Sequence, residues 1–497
     1  MLENTSRSVF ITGKAGTGKS TLLQYFREHT KKKIVVLAPT GVAAINVNGE
    51  TIHSFFGFKP GITLDKITKV KFRHGRKNIY KKIDAIVIDE ISMVRADLLD
   101  CVDKFLRLNG PKSRSSFGGI QMILIGDLYQ LPPVVASQEK QIFRGHYTSE
   151  YFFDAKIFKE MKIEYLELEK VYRQKDEKFI SLLNAIRNNT AGETELMELN
   201  ERCDPGFMPR GDYFISLTTT NLMASEINEE HLSKLPGKTR MFIGEMSGEF
   251  DHKRLPTEIE LKLKSGAQVM LLNNDPLRRW VNGTLGKIKK IKESEIEIEL
   301  RDGRVETVRP FEWQMFHFQL DRNSGRLETE VVGSFAQFPL KLAWAITIHK
   351  SQGKTFDNVI IDLGRGTFAH GQLYVALSRC TSLRGIILKK PLKKQHIIMD
   401  YRVVKFITSF QYRLSDENIP LDNKIQIIEE AIKGRAKLKI TYLKAQDEKS
   451  RREIAPYEIG EMEYNGKPFL GVKAFCYKRG EERVFRVDRM LEIEKAG

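Results

Sequence analysis

SVFITGKAGTGKSTLLQYFREH, Ser8 to His29, is the stretch whose reading decides the fold. SVFITG is an unbroken apolar run of strand type, KSTLLQYFREH has helical texture, and GKAGTGKS between them fits G-x-x-x-x-G-K-[ST]. Set between a strand and a helix, such glycines let backbone N–H groups turn inward onto phosphate oxygens. Gly13, Gly16, Thr17, Gly18 and Thr21 are therefore expected around a nucleotide. Lys19 is expected on its β- and γ-phosphates and Ser20 on Mg²⁺.

Outward from this loop, KKKIVVLAPT, KIDAIVIDEIS and IQMILIGDLYQL are further apolar runs without alternation, and ADLLDCVDKFLRLN carries helical spacing. Continuous apolar strands separated by helices predict a parallel sheet covered on both faces. IVIDEIS ends one such strand on two carboxylates. Asp89 is read as holding the Mg²⁺ shell, and Glu90 as orienting and deprotonating water. Gln130, just past the next strand, offers an amide that can sense a γ-phosphate or position water. Together these predict a Mg–ATP hydrolase.

A second α/β region is expected from about Ile163, with DEKFISLLNAIRNN and LMASEINEEHLSKL as helices around the strand YFISLTTTN. From about Lys234 the pattern alternates with period two, and Asp302-Gly303 and Ser324-Gly325 read as hairpin turns, so an antiparallel barrel is expected there. LKLAWAITIHKSQG and FDNVIIDLG return to parallel-strand texture. SDENIPLDN (Ser415 to Asn423) reads as a linker before a β-rich tail.

The 497 residues exceed one ordinary core. The excess of 81 Lys plus Arg over 64 Asp plus Glu, +17, favours polyanionic partners. Cys101, Cys203, Cys380 and Cys476 are widely spaced, which argues against a zinc or iron–sulfur site and suits reduced thiols. No run reaches the roughly 18 apolar residues of a membrane span. MLENTSRSVFITG enters a strand directly, so no signal peptide and a cytoplasmic, nucleoid-associated location are expected.

With these motifs in hand, the chain resembles superfamily 1 DNA helicases of the Pif (petite integration frequency) family up to about Asp400. APTGVAAINVNGETIHSFF resembles motif Ia and its sequel, and FGGIQMILIGDLYQLPPV the end of the family signature with motif III. VYRQ resembles motif IV, AITIHKSQGKTFD motif V and GQLYVALSRC motif VI; TTTN and WVNGTLG match further family stretches. The resemblance implies two RecA-like domains, residues 1–165 and 166–232 plus 340–400. It also implies a wedge insertion at about 58–80 and an SH3-like β domain at 233–339, with a helical segment and linker at 401–422. It implies ATP and Mg²⁺ as cofactors and 5′-to-3′ motion on single-stranded DNA and at single/double-strand junctions, by one chain and without a membrane. G-quadruplexes and DNA–RNA hybrids are left open as substrates.

By the same resemblance Arg173 and Arg379 are arginine fingers, and Gln352 and Gly353 face the nucleotide. Thr40, His53, Ser54, Phe55, Asn221, Thr347, His349 and Lys350 face DNA. Phe55 stands open between base stacking and core, and the basic run from Phe58 to Lys82 between wedge and solvated loop. The family's upstream adenine-reading glutamine has no counterpart before Lys14, which implies relaxed base selectivity or another adenine contact.

Residues 423–497 resemble a WYL domain, which implies a small Sm-like or SH3-like barrel, through Tyr442, Arg451, Pro456, KPFLGVKAFC and ERVFRVDRM. In that family a basic channel is implied for Tyr442, Arg451, Arg483, Phe485, Arg486 and Arg489. A RecD-like or conjugative helicase, and a WYL-type regulator with a vestigial ATPase, are the competing readings. The second is disfavoured because Lys19, Asp89, Glu90, Gln130 and both fingers are present.

Overall fold

The computed structural model describes residues 2–496 except 60, 71–77, 136–142, 144, 210–212, 249, 251–254, 321–326 and 445; at 42, 316–320 and 327–330 it describes the backbone alone. The chain forms two compact units, Met1–Asn184 with Ala191–Ile398, and Ala185–Thr190 with Met399–Gly497.

The first unit opens with a six-stranded parallel sheet: β1 (Ser8–Gly13), β2 (Ile34–Ala38), β3 (Glu50–Thr51), β4 (Ala85–Ile88), β5 (Gln121–Ile125) and β6 (Ile163–Leu168), in the order β3-β2-β4-β5-β1-β6. Val9 and Ile11 are buried on one face of β1 and Phe10 on the other, which is why these strands read as continuous apolar runs. Each such side chain stabilises the fold by roughly 1.5–3 kcal/mol. β6 pairs with β1 from Ser8↔Ile163 to Gly13↔Leu168, so the first sheet runs through the boundary expected at 165/166.

A second parallel sheet takes Ala345–Thr347, Ile215–Thr218, Val359–Asp362 and Ile386–Leu388 in that order. Between its first two strands in sequence lies an antiparallel insertion. Five strands, from Val305–Val308 to Leu340–Leu342, pack around Val269, Trp280, Ile298 and Leu340 in an open order among the described residues. Asp302-Gly303 turns between two of them as expected, with the Gly303 N–H donating to Leu300 O. A long hairpin, Phe311–Leu320 with Leu327–Gln337, forms a separate sheet with Glu245–Gly248, where the alternating pattern alone implied a single barrel. Ser324-Gly325 lies outside the described residues, as does most of the basic part of the 58–80 insertion.

The second unit has helices Tyr401–Asn418 and Leu421–Lys433 and a five-stranded antiparallel sheet running from Glu481–Arg486 to Met490–Lys495, again in open order. The segment 415–423 is therefore no linker. Ser415 and its successors finish one helix, Ile419 and Pro420 break it, and the next begins at once. Ser415 is buried, and its hydroxyl bridges Met490 O (3.1 Å) and Leu491 O (2.8 Å); Lys424 pairs with Asp416 at 2.9 Å. The polar residues that suggested a linker are the outer face and caps of packed helices.

Candidate functional site

The phosphate loop is built on left-handed glycines. Gly16 has φ +80°, and a Cβ there would lie 2.5 Å from Arg173 Cβ, so only glycine lets the loop pass under that arginine. Gly18, at φ +86°, opens helix Lys19–His29, on whose first turn Ser20 and Thr21 are exposed. The Thr17 hydroxyl donates to Lys14 O (2.9 Å), and Lys19 Nζ donates to Gly13 O (2.7 Å) and Lys14 O (3.0 Å). Burial lowers the proton affinity of Lys19, while the charges of Asp127, Glu90 and Asp89 oppose that loss. The next amide, Ala15 N–H, donates to the Tyr374 hydroxyl at 2.9 Å, across 359 residues of sequence.

Asp89 and Glu90 follow β4, whose carboxyl end they close. Glu90 is left-handed at φ 50°, ψ 44°, a strain of about 1–3 kcal/mol that the surroundings must hold. Burial, and then the Asp89 charge, raise the Glu90 carboxyl to about 7; burial raises the Asp89 carboxyl too. Gln130 is buried, and its amide donates to Asp127 Oδ2 at 3.2 Å. Its Oε1 accepts from Gln352 Nε2 at 3.4 Å, so the residue after the acidic pair's neighbouring strand meets the polar run of motif V. Asp127 escapes a reading of the sequence, where GDLYQ draws the eye to its glutamine alone. Fully buried and acting on Lys19, it belongs to this charge cluster.

Both candidate fingers arrive here. Arg379 is 1% exposed; its Nε donates to Val375 O (2.9 Å), Nη2 to Ser378 Oγ (2.8 Å) and Nη1 to Lys354 O (3.4 Å). Burial, and then repulsion from Arg173, push its pKa down to about 9, against the pull of Glu90 and Asp127. Arg173 Nη1 donates to Ser378 O at 3.1 Å, and burial lowers its proton affinity too. Gly371, at φ +70°, leaves room for Tyr129 O, which a Cβ would approach to 2.2 Å. That close approach seats helix Gln372–Leu377 directly against the loop bearing Gln130.

A cavity of about 690 Å³ joins the two sets of expected residues. Of the residues expected at the nucleotide, Ser20, Asp89, Glu90, Gln352 and Gly353 line it, and of those expected at DNA, Thr40, His349 and Lys350; Lys19, Gln130, Arg173 and Arg379 lie outside its lining. The other DNA-side candidates do not line it. Phe55, open between base stacking and core, lies in the core: it is 6% exposed, edge-on to Phe56 and Tyr80, among aromatics that also include Phe58 and Phe105. Ser54 donates to Glu50 Oε1 at 2.6 Å and His53 is partly buried beside it. Thr347 is buried, its hydroxyl accepting from Lys350 N–H, so it shapes the turn and presents nothing outward. Asn221 is exposed at the start of helix Asn221–Lys234. Burial lowers the His349 pKa, so its imidazole is biased neutral. Ser20 and Asp89 supply oxygen donors to one cavity, a set that fits a hard divalent cation.

In the second unit the expected channel is divided. Phe485 is 2% exposed within the core and packs edge-on against Tyr442, which corrects its placement on an open channel. Arg451 and Arg483 are exposed, Arg483 paired with Glu481; Arg486 pairs with Asp488 above the Phe469 ring, and Arg489 is partly buried. A guanidinium outside the expected set, that of Arg452, is buried, 3.6 Å from Cys476 Sγ and above the Phe485 ring. Strand parity is the signal that finds it: Ser450, Arg452 and Ile454 alternate inward and Arg451 faces out.

Family models match the chain in three places: PIF1-like helicase at residues 1–196, UvrD-like helicase C-terminal domain at 342–383 and WYL domain at 423–495. The human ATP-dependent DNA helicase PIF1 is 36% identical over 391 residues, 76% of this chain but 58% of its own length, so the chain spans under three fifths of that relative. The Pif1 helicase of Bdellovibrio bacteriovorus is 33% identical over 82% of this chain and 90% of its own length. The crystal structure of Bacteroides sp. Pif1 with ADP-AlF4 superposes with TM-score 0.75 at 38% identity, covering 82% of this chain and 94% of that one. A crystal structure of Bacteroides Pif1 bound to single-stranded DNA gives a TM-score of 0.60 at 40% identity, over 80% and 92% of the two chains. Identity of a third or more to these helicases, spanning nine tenths of the Bdellovibrio relative, together with the matched WYL region, makes the chain a member of the PIF1-like helicase family carrying a WYL domain.

Proposed function

We propose that the chain is an ATP-driven DNA helicase that moves 5′ to 3′ along single-stranded DNA and opens the duplex ahead of it. The observation that carries this reading is the Gln130–Gln352 hydrogen bond, which joins the loop beside the acidic pair to the turn bearing His349 and Lys350. A motor needs such a junction, since its strand grip must register whether a γ-phosphate is present.

In this mechanism Lys19 holds the β- and γ-phosphates, and Glu90, with its raised proton affinity, orients and deprotonates the attacking water. Arg379 and Arg173 offset the charge that develops on the transferred phosphoryl group. Ser20 and Asp89 would hold Mg²⁺, which neutralises phosphate charge when bound. Loss of the γ-phosphate relaxes Gln130 and Gln352, and with them the hold of Thr40, His349 and Lys350 on the strand. Helicase names among the relatives, and a Bacteroides relative bound to single-stranded DNA, support this assignment.

Single strands and junctions are the proposed substrates, with G-quadruplexes and DNA–RNA hybrids as further ones. The 58–80 insertion is proposed as the strand-separating wedge, the β insertion as SH3-like, and the WYL domain as a modulator of DNA binding or coupling. One chain suffices for this cycle. The test is ATP hydrolysis with and without single-stranded DNA. The unaltered chain should be stimulated and Lys19→Ala inactive. Gln352→Ala should bind both ligands yet lose stimulation; retained stimulation in that variant would contradict the relay.

A further inference from the structure

Beside the main cavity lies a second one of about 230 Å³, into which Lys341, Lys350 and Lys354 converge with Glu258 as the one carboxylate of the lining among the described residues. Lys341 sits on the strand Leu340–Leu342, and Lys350 and Lys354 flank the Gln352 turn. Lys354 is buried, and among the described residues its ammonium donates to a neutral amide alone, Asn282 Oδ1, at 2.6 Å. Asn282 Nδ2 in turn donates to Asn46 Oδ1 at 2.9 Å, which ties helix Gly41–Asn46 of the first α/β layer to the β insertion and to motif V at this one point. No residue of the phosphate loop or acidic pair lines this cavity.

Three amines of one sign held together without matched carboxylates repel one another, and that repulsion is relieved by an anion. We propose that this cavity seats one phosphodiester of the translocating strand on Lys341 and Lys354, with Lys350 at its mouth. The inference rests on the DNA-motor reading and adds a strand subsite to it. Electrostatics support the geometry. Burial, and then the charges of Lys354 and Lys350, push the Lys341 amine down to about 7 against the pull of Glu258; burial pushes Lys354 down to about 8. A seated phosphate restores both ammoniums, so binding takes up protons. The contribution is full below pH 7 and is lost as pH rises through 7 to 9 in the DNA-free protein.

The experiment is anisotropy of a labelled oligothymidylate without nucleotide, as a function of pH and salt, on the full chain and on K341Q/K354Q. The unaltered chain should lose about tenfold or more in affinity between pH 7 and 9. The double variant should bind more weakly at pH 7, with that pH dependence gone and a salt slope shallower by ~0.7 for each phosphate it no longer neutralises. K238Q/K262Q, which removes two exposed lysines elsewhere, should keep the pH dependence. An unchanged slope and pH profile in K341Q/K354Q would overturn the site, as would an equal effect from K238Q/K262Q. Fluorescent-ADP affinity separates the two sources of phosphate: a loss there with DNA binding intact would assign the cavity to nucleotide and overturn the proposal. Absence of oligonucleotide binding by the unaltered chain would instead sink the DNA-motor reading beneath it.

Discussion

Arg379 is among the largest side chains buried below 2% exposure, and every hydrogen bond it makes among the described residues is to an uncharged group. A guanidinium held dry among carbonyls is costly unless an anion comes to meet it. Arg379→Ala should therefore lower ATP turnover by about 10³-fold or more, while oligonucleotide affinity, read by anisotropy, stays largely intact. Arg379→Lys separates chemistry from packing, because it should regain thermal stability without regaining turnover; near-normal hydrolysis in either variant would remove the finger. Lys19, Asp89 and Glu90 are readable because each lies in a short motif whose neighbours fix its backbone. Asp127 is hidden by Gln130, three residues on. The cluster of Lys341, Lys354, Asn282 and Asn46 is not readable at all, since only the fold brings those four segments together.

Among the elements, the parallel strands are the most legible, because burial on both faces writes itself as an unbroken apolar run. Short aromatic runs are the least. IHSFFGF is compatible with a stacking platform and with a core, and only Tyr80 and Phe105, from other segments, decide for the core. Phe55→Ala should accordingly cost about 3–5 kcal/mol in denaturant unfolding. DNA affinity per folded molecule should remain unchanged; a selective loss of DNA binding at unaltered stability would restore the stacking role. The linker expected at 415–423 fails for a related reason: polarity marks the outer face of a packed helix as readily as it marks a loop. Ser415 shows the difference only through its partners on the strand at 490–495.

For the whole molecule, the two compact units set where the chain can be cut. Truncation after Asn423 would cut the second unit inside the first turn of helix Leu421–Lys433, leaving Asp416 without Lys424. A chain ending at Ile398 removes both helices and the sheet together. It should keep ATP hydrolysis yet change DNA affinity or the degree of DNA stimulation; identical values for both would leave the WYL domain a purely stabilising part. The basic excess of the sequence points to a polyanion but not to a direction of travel, and charge alone cannot supply one. The most direct test of the central claim is ATP-dependent unwinding of a duplex with only a 5′ single-stranded tail beside one with only a 3′ tail, with Lys19→Ala as control. Unwinding of the 5′-tailed duplex alone, absent in Lys19→Ala, is the predicted result. Unwinding of the 3′-tailed duplex alone, or of neither while ATP is still hydrolysed, would contradict it.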